Sequence, residues 1–405
     1  MRIAYITYEL PPDIPKGGIG TYTLQVAAVM KKIGAVVHIF AGSHTRNLTE
    51  ESDGIIIHRI KCEGPRHFTD KLLGIFTTVH AEIDFDVIEC PEIHHHAINI
   101  KKNFPSLPLV VRLHAPNYLV EYIKKTYVPL KAKLRYLLGA LKRGKIDLGF
   151  WRKYDYAHDA EYQISISADV ITSPSNTMKE WAVKNWKMDG SKIFIIPNPF
   201  TAPVSFLNIF INEKPQHKQI IFFGRLNVLK GLVNATYAVK KILKEYPQYS
   251  FVVIGDDGYG PDNKSSMRQW MQQQFADVLT QVIFKNGQDY KHLPLDLEKA
   301  EIALLPSLFE SFSYTCAEAM AAGKAVVGSI NTGMADMILN NKNGLLVDVE
   351  NVLEIYKAIK LLIENNELRY NIAINARIDI ITKYNADNTG KQYWSVYQSA
   401  AGNFE

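Results

Sequence analysis

The chain has 405 residues, of which 47% are hydrophobic and 21% are charged, and its formal net charge is +5. This composition is typical of a soluble globular protein that is long enough for two domains. No apolar stretch approaches the roughly 18 residues of a membrane-spanning helix, which excludes a transmembrane protein. Met1-Arg2 leads directly into a strand pattern without room for a signal peptide, and the three cysteines lack disulfide or ligand spacing. We therefore expect a cytoplasmic protein with buried thiols.

Short apolar runs alternate with helical patterns along the chain, which is typical of βαβ units and predicts an α/β fold with parallel sheets. A Pro-rich segment at 197–203 predicts a boundary between a domain at 1–200 and a second domain at 201–385. The pattern after Asn385 predicts a terminal helix at about 386–405. The predicted strands are 2–7, 36–41, 55–60, 86–90, 109–113, 169–172 and 193–196, followed by 219–223, 250–254, 281–284, 302–305 and 325–328.

A glycine-rich loop at 15–21 joins the first strand to a helix that runs from Tyr22 to Ile33. Gly17 and Gly18 allow the backbone of this loop to approach a ligand closely. The spacing of the glycines does not match the dinucleotide fingerprint, and no acidic residue ends the second strand. The sequence therefore argues against an NAD site.

Two patterns that could indicate a metal have structural interpretations. The run His94-His95-His96 cannot present three ligands to one ion from a helix, because consecutive side chains point about 100° apart. Asp84 and Asp86 precede a strand, whereas a metal-binding carboxylate pair would follow one. We predict no metal and no other cofactor. His114 ends the strand at 109–113, where a histidine is either a structural hydrogen-bonding group or part of a ligand site.

The segment 118–153 is strongly basic, with ten Lys or Arg and two acidic residues, and its net charge of +8 leaves −3 for the rest of the chain. Leucines recur beside these charges at helical spacing, at positions 130, 134, 137, 138 and 141. One interpretation is a peripheral contact with anionic membrane lipid or a lipid-diphosphate acceptor. The other is an ordinary surface helix whose leucines pack on the domain core.

Arg225 and Lys230 lie on either side of a turn that joins an apolar strand, 219–223, to a helix that begins at Leu232. Their cationic groups can converge in front of the helix. A planar guanidinium beside a compact ammonium suits a diphosphate.

Glu310 and Glu318 follow the strand 302–305, one on the loop and one a turn into the next helix. Both lie at the carboxyl edge of the predicted parallel sheet, where open α/β folds bind ligands. The N–H groups at the start of that helix favour an anion. Carboxylates repel a phosphate but accept hydrogen bonds from hydroxyl groups, so the pair suits a sugar and a ribose.

These motifs occur in an order that resembles the retaining glycosyltransferases of family 4. In the second half the resemblance rests on FFGRLNVLKGL, FVVIGDDGYG, LLPSLFESFSYTCAEAMAAGKAVVGS and NGLLVD. In the first half it rests on the opening segment through HIFAG, on VVRLHAP, and on SADVITSPSNTMKEW followed by IIPNPF. The resemblance covers nearly the whole chain, and the conjunction of motifs is more specific than any one of them.

The resemblance implies a GT-B architecture, with two Rossmann-like domains facing each other across a deep cleft and the terminal helix returning to the first domain. It implies that Gly17, Gly18 and His114 contact the donor sugar or phosphate, and that Gln288 and Asp289 contact the base. The resemblance also implies that the diphosphate is stabilised by Arg225, Lys230 and the N–H groups of Ser313, Tyr314 and Thr315. It implies that Glu310 contacts the sugar and that Glu318 contacts the ribose.

The implied reaction is transfer from a UDP- or GDP-sugar to an acceptor hydroxyl with retention of configuration, in cell-surface polysaccharide or lipopolysaccharide assembly. The partners are then the donor and a glycan or lipid-linked acceptor, without nucleic acid. Ser311, Ser313, Thr332 and Asp336 depart from the common family pattern, which leaves donor specificity open. The alternatives are an epimerase or phosphorylase on the same fold and a non-catalytic nucleotide-sugar-binding partner of an assembly complex.

Overall fold

The computed structural model describes residues 1–14, 17–128, 130–144, 154–213, 217–261, 264–287 and 290–402. Its contacts divide the chain into two compact units. The first unit contains Met1–Pro116, Asp155–Thr201 and Lys383–Glu405, and the second contains Asn117–Tyr154 and Ala202–Thr382. The predicted α/β class with two parallel-sheet domains is confirmed.

The strands and helices alternate along most of the chain. The strands are β1 (Arg2–Thr7), β2 (Val36–Ser43), β3 (Leu48–Ser52), β4 (Ile55–Lys61), β5 (Val87–Pro91), β6 (Leu109–Arg112), β7 (Val170–Ser173), β8 (Ile193–Ile195), β9 (Gln219–Phe223), β10 (Ser250–Ile254), β11 (Val282–Lys285), β12 (Ile302–Leu305), β13 (Ala325–Ser329) and β14 (Leu345–Val347). The helices are α1 (Gly18–Ile33), α2 (Pro65–Ile83), α3 (Ile98–Asn103), α4 (Asn117–Tyr127), α5 (Leu130–Lys142), α6 (Ala160–Ile166), α7 (Asn176–Trp186), α8 (Val204–Leu207), α9 (Leu232–Glu245), α10 (Met267–Gln274), α11 (Leu293–Lys299), α12 (Tyr314–Ala321), α13 (Met334–Met337), α14 (Val352–Glu364), α15 (Asn366–Lys383) and α16 (Ala386–Ala400). No helix in the described ranges has both the length and the apolar character needed to span a bilayer.

The first unit is built on a sheet in the order β3-β4-β2-β1-β5-β6-β7-β8. All neighbouring strands are parallel except β3, which pairs antiparallel with β4 at the edge. The sequence analysis did not predict β3, because its segment LTEES is polar and largely exposed. The strand order reverses between β1 and β5, so the loops that follow these two strands lie at a switch point of the fold.

The second unit has an all-parallel sheet in the order β11-β10-β9-β12-β13-β14. Its central strands are apolar on both faces because helices cover both sides, and Ile220, Ile302 and Val327 are fully buried. Here the order reverses between β9 and β12, which pair through Ile302 and Ile220. The loops after β9 and β12 therefore leave the sheet side by side.

The segment 117–154 groups with the second unit, whereas the sequence analysis placed it within 1–200. The cause is tertiary packing that the sequence does not reveal. Helix α4 packs against the 3₁₀ turn Val228–Lys230. At the end of α4, burial and the nearby Glu350 and Asp348 raise the pKa of Tyr127 to about 12.

Helix α16 packs on α1 in the first unit. Gly390 lies against Val29, where a Cβ atom would stand 2.3 Å from Val29 Cγ1. The hydroxyl of Tyr397 donates to Glu89 Oε2 at 2.6 Å, and Tyr22 donates to the other oxygen of Glu89 at 2.7 Å. The helix thus supplies polar as well as apolar contacts to the first unit.

Buried Lys324, just before β13, makes the stability of the second unit depend on pH. Its ammonium donates to the carbonyl oxygen of Ala300 at 3.0 Å, and burial lowers its pKa from 10.5 to about 8. Between pH 8 and pH 10.5 the unfolded chain binds more protons at this lysine than the folded chain does. We therefore expect the free energy of unfolding to rise with pH across this range by about 3 kcal/mol. Urea unfolding of the wild type and Lys324→Met at pH 7.5 and pH 10 measures this contribution. A difference between the two proteins that is the same at both pH values would contradict it.

Candidate functional site

The strongest candidate site lies where β9 and β12 end, in the second unit. The loop after β9 carries Arg225 and then forms the turn Val228–Lys230, which Asn227 caps by accepting a hydrogen bond from Lys230 N at 3.2 Å. Gly231 follows with a φ of +67°, and a Cβ atom there would stand 1.7 Å from the carbonyl oxygen of Pro306, just after β12. Glycine is required because the two loops touch at this point.

This contact brings Lys230 and Glu310 together. The ammonium of Lys230 forms an ion pair with Glu310 Oε1, and Ser307 donates to the same oxygen at 3.0 Å. The Lys230 and Glu310 side chains are 26% and 15% exposed, so both remain accessible to a ligand. The sequence analysis assigned the two residues to different parts of a donor and did not predict that they pair.

The loop that carries Glu310 is held from both sides by backbone contacts. Gly333 N donates to the carbonyl oxygen of Glu310 at 2.7 Å, and Ser329 donates to the carbonyl oxygen of Ser307 at 2.6 Å. A Cβ atom at Gly333 would stand 2.2 Å from the carbonyl oxygen of Ser311. These contacts hold the backbone that carries Glu310 in place before any ligand binds.

The N-terminus of α12 follows Glu310 directly. Ser313 caps the helix by accepting a hydrogen bond from Cys316 N at 3.2 Å, and its hydroxyl lies 3.1 Å from that of Thr315. The first intrahelical bond runs from Ala317 N to the carbonyl oxygen of Ser313. The N–H groups of Tyr314 and Thr315 belong to the turn before that bond, where the helix dipole favours an anion.

Glu318 lies one turn further along α12, and its Oε1 accepts a hydrogen bond from the hydroxyl of Tyr290 at 2.9 Å. Burial and the nearby carboxylate raise the pKa of Tyr290, so it stays protonated as a donor. The sequence analysis missed Tyr290, which no local pattern marks. Gln288 and Asp289, predicted to contact the base, lie outside the described residues.

Arg225 is exposed on the loop after β9 and forms no ion pair within the described ranges. Its neighbour Leu226 donates through its N–H to the carbonyl oxygen of Asp256 at 2.8 Å, which anchors the loop to the segment after β10. The second unit therefore brings together Lys230, Glu310 and the α12 N-terminus, with Arg225 on an adjoining loop as a second cation.

In the first unit, the glycine-rich loop leads into α1. Gly18 is the first residue of α1, and Gly17 precedes it. The carboxylate of Glu9 lies close to Gly17, and a Cβ atom at Gly17 would stand 2.2 Å from Glu9 Oε2. Thr21 donates to the carbonyl oxygen of Gly17 at 2.9 Å. A side chain at Gly17 would therefore have to displace the carboxylate of Glu9.

His114 is 7% exposed and is held by its own strand and by Glu92. Its Nδ1 lies 3.0 Å from the carbonyl oxygen of Arg112, which can only accept, so Nδ1 carries the proton. Its backbone N–H donates to Glu92 at 2.8 Å, and its Nε2 is buried without a hydrogen-bond partner among the described residues. The Nε2 of His114 is therefore available for a hydrogen bond with a ligand. The sequence analysis did not identify Glu92.

The patterns considered for a metal have structural roles. Asp86 accepts hydrogen bonds from the backbone N–H and the guanidinium of Arg2. His94 and His95 have φ values of +61° and +44°, so they form a turn rather than the helix assumed from the sequence. In the described part of the chain, no three His, Cys, Asp or Glu side chains are grouped to hold a metal ion.

Comparisons with known proteins match both halves of the chain. The family model for Glycosyltransferase Family 4 matches residues 16–201, and the model for Glycosyl transferases group 1 matches residues 207–379. Sucrose-phosphate synthase from Thermosynechococcus elongatus has a similar fold, with a TM-score of 0.76 at 18% identity over 100% of each chain. The chain is a GT-B glycosyltransferase of the family 4 type. The family and architecture predicted from the sequence are confirmed.

Relatives of this glycosyltransferase extend over its full length. The uncharacterized glycosyltransferase MJ1607 of Methanocaldococcus jannaschii is 24% identical over 426 residues, which cover 99% of this chain and 98% of that protein. Anabaena HepE, solved in complex with UDP, has a TM-score of 0.68 at 17% identity and covers 98% of this glycosyltransferase and 100% of its own chain.

Proposed function

We propose that this glycosyltransferase moves a sugar from a UDP- or GDP-sugar to an acceptor hydroxyl and retains the configuration of the donor. The observation that supports this most directly is the pairing of Lys230 with Glu310 beside the N-terminus of α12. A cation, a carboxylate and the N–H groups of the first turn of α12 at one sheet edge match the two chemical halves of a nucleotide sugar. The UDP complex of Anabaena HepE supports a nucleotide donor.

In the proposed mechanism, Lys230, Arg225 and the N–H groups of Ser313 to Thr315 stabilise the diphosphate as it leaves. Glu310, oriented by Ser307, accepts hydrogen bonds from the sugar hydroxyls, and the Lys230 ammonium shifts from Glu310 towards the phosphate. The bond between the anomeric carbon and the diphosphate breaks while the acceptor oxygen attacks from the same face. The acceptor proton passes to the departing phosphate oxygen, so no protein nucleophile is required.

The other predicted residues keep the roles that the family resemblance implies. Glu318 binds the ribose together with Tyr290, whose hydroxyl already donates to it. Gly17 and Gly18 contact the donor, and the Nε2 of His114 forms a hydrogen bond with a sugar hydroxyl, which would give this buried atom a partner. The proposed acceptor is a glycan or lipid-linked molecule of cell-surface polysaccharide or lipopolysaccharide assembly.

A panel of UDP- and GDP-sugars tests the reaction, with release of nucleotide as the first readout. We expect slow hydrolysis of one donor, because water substitutes for the acceptor. With an accepting sugar, NMR of the product should show the anomeric configuration of the donor. An inverted product would refute retention, and tight donor binding without turnover under any condition would favour a non-catalytic binding partner.

A further inference from the structure

Helix α5 presents leucines to solvent. Leu130, Leu134, Leu138 and Leu141 are 67%, 47%, 60% and 50% exposed. Isolated exposed leucines are ordinary, but four on one short helix form a patch that calls for a partner.

These leucines share one face of the helix. At about 100° per residue, positions 130, 134, 138 and 141 fall within an arc of about 80°. Ala140 is 1% exposed and lies more than about 100° from the middle of that arc, so α5 packs on the protein through a different face. The interpretation in which this leucine stripe fills the domain core is therefore wrong for these four leucines.

Two lysines border the same face, because Lys131 and Lys142 fall within about 40° of the edge of the leucine arc, whereas Arg143 lies nearly opposite its middle. Lys131 and Lys142 follow Leu130 and Leu141 directly, and Arg135 and Arg143 are also exposed. Among the described residues, none of these four cations forms an ion pair. A second protein surface would have to match this apolar stripe and neutralise the two lysines on its border. An anionic lipid surface meets both requirements at once, because headgroups pair with the cations and the acyl boundary accepts the leucines.

We propose that α5 docks this protein on an anionic lipid bilayer, with Leu130, Leu134, Leu138 and Leu141 inserted at the interface and Lys131 and Lys142 at the headgroups. Helix α4, which precedes α5, packs against the turn that carries Lys230. The helix that precedes α5 in the chain therefore contacts the candidate site. The inference rests on the exposure of α5 and does not depend on the proposed transfer reaction.

Co-sedimentation of the full chain with vesicles tests the proposal. We expect binding to vesicles of phosphatidylglycerol and phosphatidylcholine, little binding to phosphatidylcholine alone, and weaker binding as salt is raised. The double variant Leu134→Gln/Leu138→Gln is expected to bind at least about tenfold more weakly. The matched control is Leu353→Gln/Leu361→Gln on α14, where the two leucines are 48% and 41% exposed. This control is expected to bind vesicles as the wild type does.

A second pair of variants tests the charges. Lys131→Glu/Lys142→Glu should weaken vesicle binding by at least about tenfold, because each cation near an anionic surface contributes severalfold. Lys342→Glu/Lys357→Glu changes the net charge equally at exposed positions elsewhere and should have a much smaller effect. Circular dichroism and hydrolysis of the donor in solution check that each variant is folded, whichever donor is used.

Three results would overturn the proposal. The first is equal binding to charged and uncharged vesicles, and the second is equal loss of binding in the α5 variants and their controls. The third is a concentration-dependent dimer that the leucine substitutions abolish, which would assign the face to a second copy of this chain. Failure of vesicle binding leaves the transfer reaction unaffected, because nucleotide release from a soluble donor is measured without lipid.

Discussion

Glu310→Gln is expected to lower transferase turnover by about 10²–10³, the scale of losing one contact made in the transition state. The substitution keeps the size of the side chain but removes the charge that pairs with Lys230 and accepts from Ser307. Because the side chain is partly exposed, the loss of the ion pair alone should cost little stability. Initial rates with saturating donor, together with a thermal unfolding midpoint, separate the two effects. A fall of less than a few-fold would remove Glu310 from the mechanism.

A control and a double variant show whether Glu310 acts on the donor or only on Lys230. Glu367→Gln changes an exposed carboxylate on α15 and should leave turnover as it is. If Glu310 serves only to neutralise Lys230, Lys230→Met/Glu310→Gln should recover activity relative to either single variant. If both side chains contact the donor, the double variant should be no more active than the weaker single variant.

Gly231→Ala is expected to destabilise the protein by about 3 kcal/mol or more, the combined cost of a left-handed alanine and an overpacked contact. The backbone at Gly231 has a φ of +67°, and the added Cβ would stand 1.7 Å from the carbonyl oxygen of Pro306. Relief of that clash must move the turn that carries Lys230 away from the loop that carries Glu310. Donor affinity should therefore fall as well, even under conditions where the variant is folded.

Two further glycine variants show whether the positive φ or the added Cβ atom destabilises Gly231→Ala. Gly231→Asn tolerates a positive φ but adds the same Cβ atom, so it should be nearly as unstable as the alanine variant. Gly74→Ala lies in the exposed interior of α2, where nothing lies within 4 Å of an added Cβ, and should stabilise by up to about 1 kcal/mol. Urea unfolding ranks all three variants. A Gly231→Ala protein as stable as the wild type would mean that the two loops do not touch.

Most of the fold could be predicted from the sequence because buried parallel strands are continuous apolar runs. The strands β9 and β12 were both found in this way. Strand β3 could not be found, since its polar residues pair with β4 through backbone atoms that carry no sequence signal. The grouping of 117–154 with the second unit could not be found either, because it depends on which surface α4 meets.

The candidate site was predictable where chemistry and strand ends coincide, as at Lys230 and Glu310. Eighty residues separate this pair, so the ion pair between them follows from strand order and not from spacing. Ser307, Tyr290 and Glu92 act through hydrogen bonds to residues that lie elsewhere in the sequence. A lone serine, tyrosine or glutamate has many possible roles, and only the folded chain selects one.

The two tyrosine hydroxyls on Glu89 come from distant parts of the chain, since Tyr22 lies 67 residues before Glu89 and Tyr397 lies 308 residues after it. During translation, the buried carboxylate of Glu89 acquires this second donor only after a further 308 residues have been synthesised. A fragment that stops before α16 lacks Tyr397, so the carboxylate of Glu89 loses this hydrogen-bond donor. An expression fragment intended to represent the first unit alone must therefore join its opening residues to the closing helix.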